Sequence, residues 1–466
     1  WGKNKLVFLD HHLCHAAFGY YQSGFNDAAI LTIDGHGENE TCFFGEAKNG
    51  KIKKISSVKY PHSVGLFYGA FTDFLGFKPD SDEWKVMAMG AYAKNDDKVS
   101  TEIFKEAIKV NNGKIIVDMN LFGYANQWEK NLYNDNLIEK LGINTKNNCS
   151  LIISESRKYE IALSLQNRFE EIMIEILKTL REKSDSNNLL LSGGCLMNSL
   201  FNGKIQSLKL FNDHYIGPFP DDSGTSIGAA YSAFYNYLDK KSLNKNNYQS
   251  KRAIQNYFGP EQSNNSIKND LLRTKIPFQE INNKNELLFL ASNDLNEGKV
   301  IGWVQGKSEF GQRSLGNRSI LLDPRLEKGK DLINSAIKFR EAYRPFAPAI
   351  LKEHFFNFFE GDPNNHFFME SVAKFKEKLP LKVPAVMNND RTGRVQVVTS
   401  DSNELFYELI SKFYSLTDCP ILLNTSFNLN GEPVILNTID AVKTFYSSGI
   451  DVLYIGNYRL CKKNNG

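Results

Sequence analysis

The apolar positions of this chain follow two rhythms. Short continuous runs such as "AAILTIDG" (28–35) and "NLLLSGG" (188–194) read as buried strands, whereas "EIALSLQNRFEEIMIEILKTLREK" (160–183) repeats apolar residues at three and four, as an amphipathic helix does. Their alternation predicts an α/β first half. "KLVFLD" at 5–10 also reads as a strand. From 239 to 270 the text turns polar, rich in Lys, Asn and Ser with one Gly-Pro break. That shift sets a boundary between residues 1–250 and 251–466. Beyond it, "KVIGWVQG", "RPFAPAIL", "RVQVVTS", "PILLNTSFN" and "DVLYIGNY" are closely spaced strand candidates, and they predict a compact α+β domain.

Length supports that division, because 466 residues exceed what one hydrophobic core usually organises. Lys+Arg number 56 against 53 Asp+Glu, so no broad positive field favours nucleic acid as a partner. No apolar run approaches the roughly 18–20 residues that span a bilayer, and the expectation is a cytoplasmic protein without a membrane partner. The six cysteines (14, 42, 149, 195, 419, 461) lack paired metal-ligand spacing, which predicts free buried thiols.

"DHHLCHAAFGYY" (10–21) places three of the eight histidines within five positions. As a helix capped by Asp10, it puts His11 and His15 one turn apart on one face and turns His12 elsewhere. Such a pair either edges a polar helix or shares a divalent cation. Asp34, closing "ILTID", and Asp222, opening "DSGTSIGAA", are the acidic candidates to complete a mixed N/O set suited to iron, manganese or zinc. Glycines raise a second chemistry. Gly193 and Gly194 follow a strand, and Gly224 and Gly228 open a helix, so their backbones could approach phosphate or ribose, or could simply make turns. His36, in what reads as a tight "DGHG" turn, is either an acid/base candidate or structural, and Glu83 with Lys85 reads as a cleft pair or a helix-surface pair.

The second half concentrates Arg313, Arg318, Arg325, Lys338, Arg340 and Arg344 within a short span. If "IKFR" is extended, Lys338 and Arg340 share a face, and "SFN" spaces Ser426 and Asn428 in the same way. Polyphosphate or carbamoyl phosphate suits such a set. Ion pairs with Glu309, Asp323 and Glu341 are the structural alternative.

In order along the chain, "DHHLCHAA", "LTIDGHGE", "SVGLFYGAFTDFLGFKPDSDEWKVMAMGAY", "LSGGCLMN", "DDSGTSIGAA", "EFGQRSLGNRSILLDPR", "KFREAYRPFAPAIL" and "LLNTSFNLNGEPV" resemble the O-carbamoyltransferases of antibiotic biosynthesis and nodulation-factor modification. The resemblance implies an α/β N-terminal ASKHA (actin-like/sugar-kinase-like) domain followed by an α+β YrdC-like domain. The K-x-R and S-x-N motifs of threonylcarbamoyl-AMP synthases match Lys338/Arg340 and Ser426/Asn428. By that likeness the second domain would convert carbamoyl phosphate and ATP, with Mg, to carbamoyl-adenylate. Lys338, Arg340, Arg313 and Arg318 would neutralise phosphates there, with Arg344, Ser426 and Asn428 binding the nucleotide.

The first domain would pass the carbamoyl group to a hydroxyl of a small-molecule acceptor. His11, His15, Asp34 and Asp222 would hold a metal, iron foremost, while Gly193, Gly194, Asn198 and Gly224 would hold the nucleotide and His12 would be an acid/base candidate. A homodimer is allowed. Family members also carry an "N-x-G-H-x-A"-like stretch ahead of Trp1, so a first phosphate loop is expected upstream of these residues. An ASKHA sugar kinase would instead release ADP, and a tRNA threonylcarbamoyladenosine-type enzyme would need an RNA-binding surface.

Overall fold

The computed structural model describes residues 6–95, 97–125, 131–146, 150–237, 251–339 and 346–462. The chain forms two compact units, Trp1–Ala253 and Ile254–Gly466. The first is built on a five-stranded sheet. Helix α1 (His11–Ser23) precedes the antiparallel strands β1 (Asp27–Gly37), β2 (Glu40–Lys48) and β3 (Lys51–Lys59). After α2 (Val64–Phe74) and the long α3 (Glu155–Lys183) come β4 (Asn188–Ser192) and β5 (Asp213–Ile216), and then α4 (Thr225–Tyr237). The order is β3-β2-β1-β4-β5, with β1, β4 and β5 parallel.

The reasons are local first. Ser154 caps α3 by accepting the Arg157 N–H, and Arg181 and Lys183 in its last turn complement the helix dipole. Its apolar stripe, including Leu165, Phe169, Ile172 and Ile176, packs with Phe67 and Phe71 of α2 against Leu31 and Ile33 of β1. Each such side chain contributes roughly 1.5–3 kcal/mol on burial.

Two expectations fail here. Among the described residues Leu6–Asp10 pair with no other backbone and lie outside any strand, with Phe8 92% exposed, while Lys5 lies outside the described residues. "DGHG" is not a tight turn either. β2 keeps its partner extended through Gly37, although the register slips between Ile33 and Gly37. His36 therefore lies exposed on a strand.

The second unit carries helix α5 (Asn264–Arg273) and an eight-stranded sheet. Its strands are β6 (Gln279–Glu280), β7 (Ile301–Val304), β8 (Arg318–Leu322), β9 (Ala347–Leu351), β10 (Gln396–Val398), β11 (Ile421–Ser426), β12 (Val452–Ile455) and β13 (Tyr458–Cys461). Their order is β6-β13-β12-β7-β8-β11-β9-β10. β7 runs parallel to β12 and β9 to β10, while β8 and β11 are antiparallel to their neighbours. One edge of this sheet therefore gathers the ends of β7, β11 and β12 with the starts of β8, β9 and β10.

Among the described residues no helix is long and apolar enough to cross a membrane. Five cysteines are free, with Cys14, Cys42 and Cys419 buried; Cys149 lies outside the described residues.

Candidate functional site

In the first unit four side chains converge. His11 and His15 sit one turn apart on α1, and their Nε2 atoms are 3.0 Å apart. Asp34 enters where the β1–β2 register slips, and Asp222 enters from a short turn, Asp222–Gly224, ahead of α4. His15 Nε2 lies 3.0 Å from Asp34 Oδ2 and 3.3 Å from Asp222 Oδ1; His11 Nε2 lies 3.5 and 3.3 Å from the same oxygens. One ligand atom from each residue falls within 4.8 Å of all the others.

Metal–ligand bonds of about 2.1 Å set donors about 3.0 Å apart at an octahedral edge and about 3.4 Å at a tetrahedral one. The donor spacing thus fits a cation, as does the chemistry of two imidazoles with two carboxylates. Asp34 is further oriented by the Gly35 N–H, which donates to its Oδ1 at 2.8 Å. On the far side of His15, Nδ1 faces Ser192 Oγ at 3.4 Å, the outer partner that a metal-bound imidazole needs.

Electrostatics within the cluster are mutual. Hydrogen bonds with Asp222 and then Asp34 push His11 up to about 10. Burial opposes charge on His15, but the same two carboxylates outweigh it and raise its pKa. Asp34 is likewise penalised by burial, yet His11 and His15 hold it well below the usual carboxylate range, and they pull Asp222 down to about 2. The carboxylates thus favour protonated imidazoles, and a divalent ion would compete with those protons for the same nitrogens.

His12 departs from the expected acid/base role. Its Nε2 donates to the Glu40 carbonyl at 3.1 Å, which fixes the tautomer, and its Nδ1 accepts from Thr32 Oγ1 at 2.7 Å. Burial lowers it to about 4. Both nitrogens are engaged and neutral, so His12 ties α1 to β1 and β2.

The glycines sit in close backbone packing. Gly193 has φ 101°, and a Cβ there would stand 2.1 Å from the Ile33 carbonyl oxygen; its N–H is spent on Pro220 O at 2.7 Å. A Cβ on Gly194 would reach within 2.8 Å of Asp34 Oδ1, and one on Gly224 within 2.6 Å of Phe219 O. These positions let backbone close around the four-residue cluster. Asn198 is occupied as well: Oδ1 accepts from Phe201 N and Gln166 Nε2, and Nδ2 donates to Gln166 Oε1 at 2.8 Å. Glu83 accepts the Asp80 N–H, while Lys85 pairs with Asp82 at 2.7 Å and not with Glu83.

In the second unit Lys338 is not on a strand. Asn334–Lys338 is a wide helical turn continuing Gly329–Ile333, and Phe339 is left-handed at φ 44°, so the alternation expected of "IKFR" does not exist. Arg340 and Arg344 lie outside the described residues. Lys338 nevertheless reaches its expected partners. Its buried Nζ donates to Ser426 O at 2.6 Å, Asn428 Oδ1 at 2.7 Å and Asn428 O at 2.9 Å, with Ser426 Oγ at 3.3 Å. Ser426 Oγ in turn donates to Asn428 Oδ1 at 2.6 Å.

Arg318 is 2% exposed. Its two terminal nitrogens donate to the carbonyls of Pro260, Gln305, Gly306 and Asn317, clamping the loops around β7. Arg313 donates to Phe368 O at 3.0 Å. Arg325 grips Asp323 with both Nε and Nη2, while Glu309 accepts the N–H groups of Leu315, Asn317 and Arg318 and, among the described residues, pairs with no arginine side chain.

One residue escaped the sequence reading. Arg394 makes no side-chain hydrogen bond or ion pair among the described residues; its Nε is sealed from solvent without a partner, and burial lowers its pKa. Register places it. Gln396 lies opposite Ala349, and Asn424 opposite Ala347, with Asn424 Nδ2 bonded to Gln396 Oε1 at 2.8 Å. Two residues before Gln396, Arg394 therefore approaches the sheet edge that Ser426 reaches two residues after Asn424. A guanidinium with no counter-charge among the described residues favours an anion at that edge. The alternation in "GRVQVV" was the available signal.

Comparison with known proteins follows this geometry. The family description "Carbamoyltransferase N-terminus" matches residues 2–231, and "Carbamoyltransferase C-terminus" matches 292–462. Nodulation protein NolNO of Sinorhizobium fredii is 33% identical over 99% of this chain, which spans 64% of that protein. Nodulation protein NolO of Bradyrhizobium diazoefficiens is 32% identical over 98% of the chain and 79% of its own length. The 3'-hydroxymethylcephem-O-carbamoyltransferase of Streptomyces clavuligerus is 27% identical over 83% of the chain and 66% of its own length.

Proposed function

The chain belongs to the carbamoyltransferase family, with its N- and C-terminal parts both present, and on that premise we propose that it is an ATP-dependent O-carbamoyltransferase with one chemical step in each unit. In the second unit, carbamoyl phosphate, water and ATP give carbamoyl-adenylate, pyrophosphate and phosphate. Lys338, held by Ser426 and Asn428, and Arg394 supply positive charge to the phosphates. What supports this reading is that Lys338 meets Ser426 and Asn428 at the sheet edge that Arg394 approaches, with no counter-charge to Arg394 among the described residues. Arg340 and Arg344 would add to the same set.

In the first unit the carbamoyl group passes to an acceptor hydroxyl, forming the carbamate ester and releasing AMP. His11, His15, Asp34 and Asp222 would hold a divalent ion, iron before manganese or zinc, which supplies Lewis acidity. Asp34 and Ser192 fix the imidazole orientations, and the glycine-lined backbone keeps the cluster's inner side close. A sheet in which three antiparallel strands meet two parallel returns supports an ASKHA-type reading of this unit, and the second unit is read as YrdC-like. The acceptor is a hydroxyl-bearing small molecule, in keeping with the cephem relative.

The test is direct. Protein incubated with carbamoyl phosphate and ATP should release pyrophosphate and accumulate carbamoyl-adenylate. Lys338→Ala should stop this half-reaction, whereas His15→Ala should spare it and block transfer. ADP in place of AMP and pyrophosphate would refute the proposal in favour of a kinase.

A further inference from the structure

Asparagine followed by glycine can react with its own backbone. The deprotonated glycine nitrogen attacks the asparagine Cγ, and a glycine has no Cβ to hinder the approach. The new N–C bond closes a succinimide as the side-chain amide C–N bond breaks, and the amide nitrogen leaves as ammonia with the proton lost by the glycine N–H. Water then opens the ring at either carbonyl to give aspartate or isoaspartate, so the sum is one water consumed and one ammonia released. The described residues hold this dipeptide at 49–50, 112–113, 202–203 and 430–431, while Asn465–Gly466 lies outside them.

Three of these four pairs are locked. Gly50 donates its N–H to Tyr20 Oη at 2.9 Å and accepts from Tyr21 Oη at 3.0 Å, while Asn49 is left-handed at φ 50° in the two-residue turn between β2 and β3. Asn202 is 1% exposed; its Nδ2 donates to Leu196 O at 2.7 Å, and the Gly203 N–H donates to Ser199 O at 3.1 Å. Asn112 and Gly113, at φ 49° and 75°, turn the hairpin of Ile108–Asn111 and Lys114–Val117, and a Cβ on Gly113 would stand 2.6 Å from Thr179 Cγ2. Each must break local structure before its nitrogen can reach the side chain.

Asn430–Gly431 differs. Both residues are exposed. Gly431, at φ 78°, holds the third position of a turn closed by the Glu432 N–H on Leu429 O at 3.2 Å, and its own N–H has no hydrogen-bond partner among the described residues. A Cβ there would meet nothing within 4 Å. Among the described residues the Asn430 side chain makes one long contact, Nδ2 to Phe339 O at 3.5 Å.

We propose that Asn430 is a self-modification site, where deamidation through the succinimide loosens the cluster around Lys338. Its effect on activity, though not the modification, rests on the function proposed above. Asn428, two residues earlier, gives Lys338 Nζ two acceptors, Oδ1 at 2.7 Å and the carbonyl at 2.9 Å, and its Nδ2 donates to Glu432 O at 2.6 Å. Isoaspartate at 430 adds a methylene to the backbone between Asn428 and Glu432 and leaves a carboxylate. The longer loop shifts Glu432 relative to Asn428, and the new negative charge opposes phosphate at the same edge.

The full chain, aged in warm, mildly alkaline buffer with and without urea, is digested and mapped by mass spectrometry, which separates asparagine, aspartate and isoaspartate. In the native protein Asn430 should convert at least about 10-fold faster than Asn49, Asn112 or Asn202, because those three react only from a locally opened state. In urea the four rates should converge. Any of the other three leading in the native protein, or the same spread of rates in urea as in buffer, would overturn the site. Aged wild type should lose pyrophosphate release in step with conversion at 430. Asn430→Gln, which lengthens an exposed side chain by one methylene, should start at wild-type activity and keep it. Equal loss in both proteins would overturn the link to Lys338. Fresh wild type releasing no pyrophosphate would refute the proposed function, while the peptide map still decides the modification by itself.

Discussion

Asp222→Ala should abolish most of the metal-induced stabilisation of the first unit. The side chain is 73% exposed, so truncation opens no core cavity, yet its Oδ1 stands 3.3 Å from both imidazole nitrogens. Changes to outer partners of a metal ligand already cost about 10–100-fold in affinity, which sets about 100-fold as a minimum for losing a direct ligand. With free metal at about 100 times Kd, linkage stabilises the native state by about 2.7 kcal/mol; after a 100-fold weakening about 0.4 kcal/mol remains. For a unit of this length each kcal/mol moves Tm by about 2–4 °C, so a rise of about 5–10 °C should shrink to about 1 °C. The assay is a thermal scan of chelator-treated protein with Fe(II), Mn(II) or Zn(II) added back. The shift on metal addition is compared, because loss of Asp222 also alters the metal-free cluster. A full shift in Asp222→Ala, or no shift in wild type with any of the three ions, would refute the assignment.

Three further outcomes follow from other residues. Arg394→Met should leave stability unchanged or raise it by about 1–2 kcal/mol, since no described residue neutralises the charge it removes, while pyrophosphate release collapses; a destabilised variant in urea unfolding would mean that the guanidinium supports the fold. Gly193→Ala should cost more than about 2 kcal/mol, because a Cβ would stand 2.1 Å from Ile33 O at φ 101°, and a urea midpoint within about 0.5 kcal/mol of wild type would contradict the packing. His366, 5% exposed, is pushed down to about 4 by burial. The unfolded chain therefore takes up this proton first as pH falls below about 6.5, and native stability drops until about pH 4, with about 2 kcal/mol lost between pH 7 and 5. His366→Phe should flatten that slope in urea midpoints measured across the interval; an unchanged slope would assign the acid sensitivity elsewhere.

How much was legible depended on the range of the interaction. His11 and His15 could be read as a pair because helical periodicity alone sets them on one face, and Asp34 because an apolar run ended on it. The glycine turns were legible only as alternatives, since Gly193 and Gly224 look alike along the chain as phosphate cradles and as close backbone contacts; the contacts with Ile33 O and Phe219 O appear only in the fold. Local alternation placed Lys338 on a strand it does not occupy, yet the residue types correctly grouped it with Ser426 and Asn428.

The amino-acid sequence by itself determined the two-part α/β and α+β organisation, the family, and the chemical identity of both polar clusters, because periodicity and residue type are local properties. Tertiary structure decided which donors meet. Asp34 reaches the histidines through a slip in the β1–β2 register, and Asp222 through a turn 188 residues further on. Arg318 spends its charge on carbonyls, groups that every residue carries and no sequence pattern distinguishes. The absence of a partner for Arg394 Nε among the described residues belongs to the same class: a missing contact is a property of three-dimensional surroundings, and it has no signature along the chain.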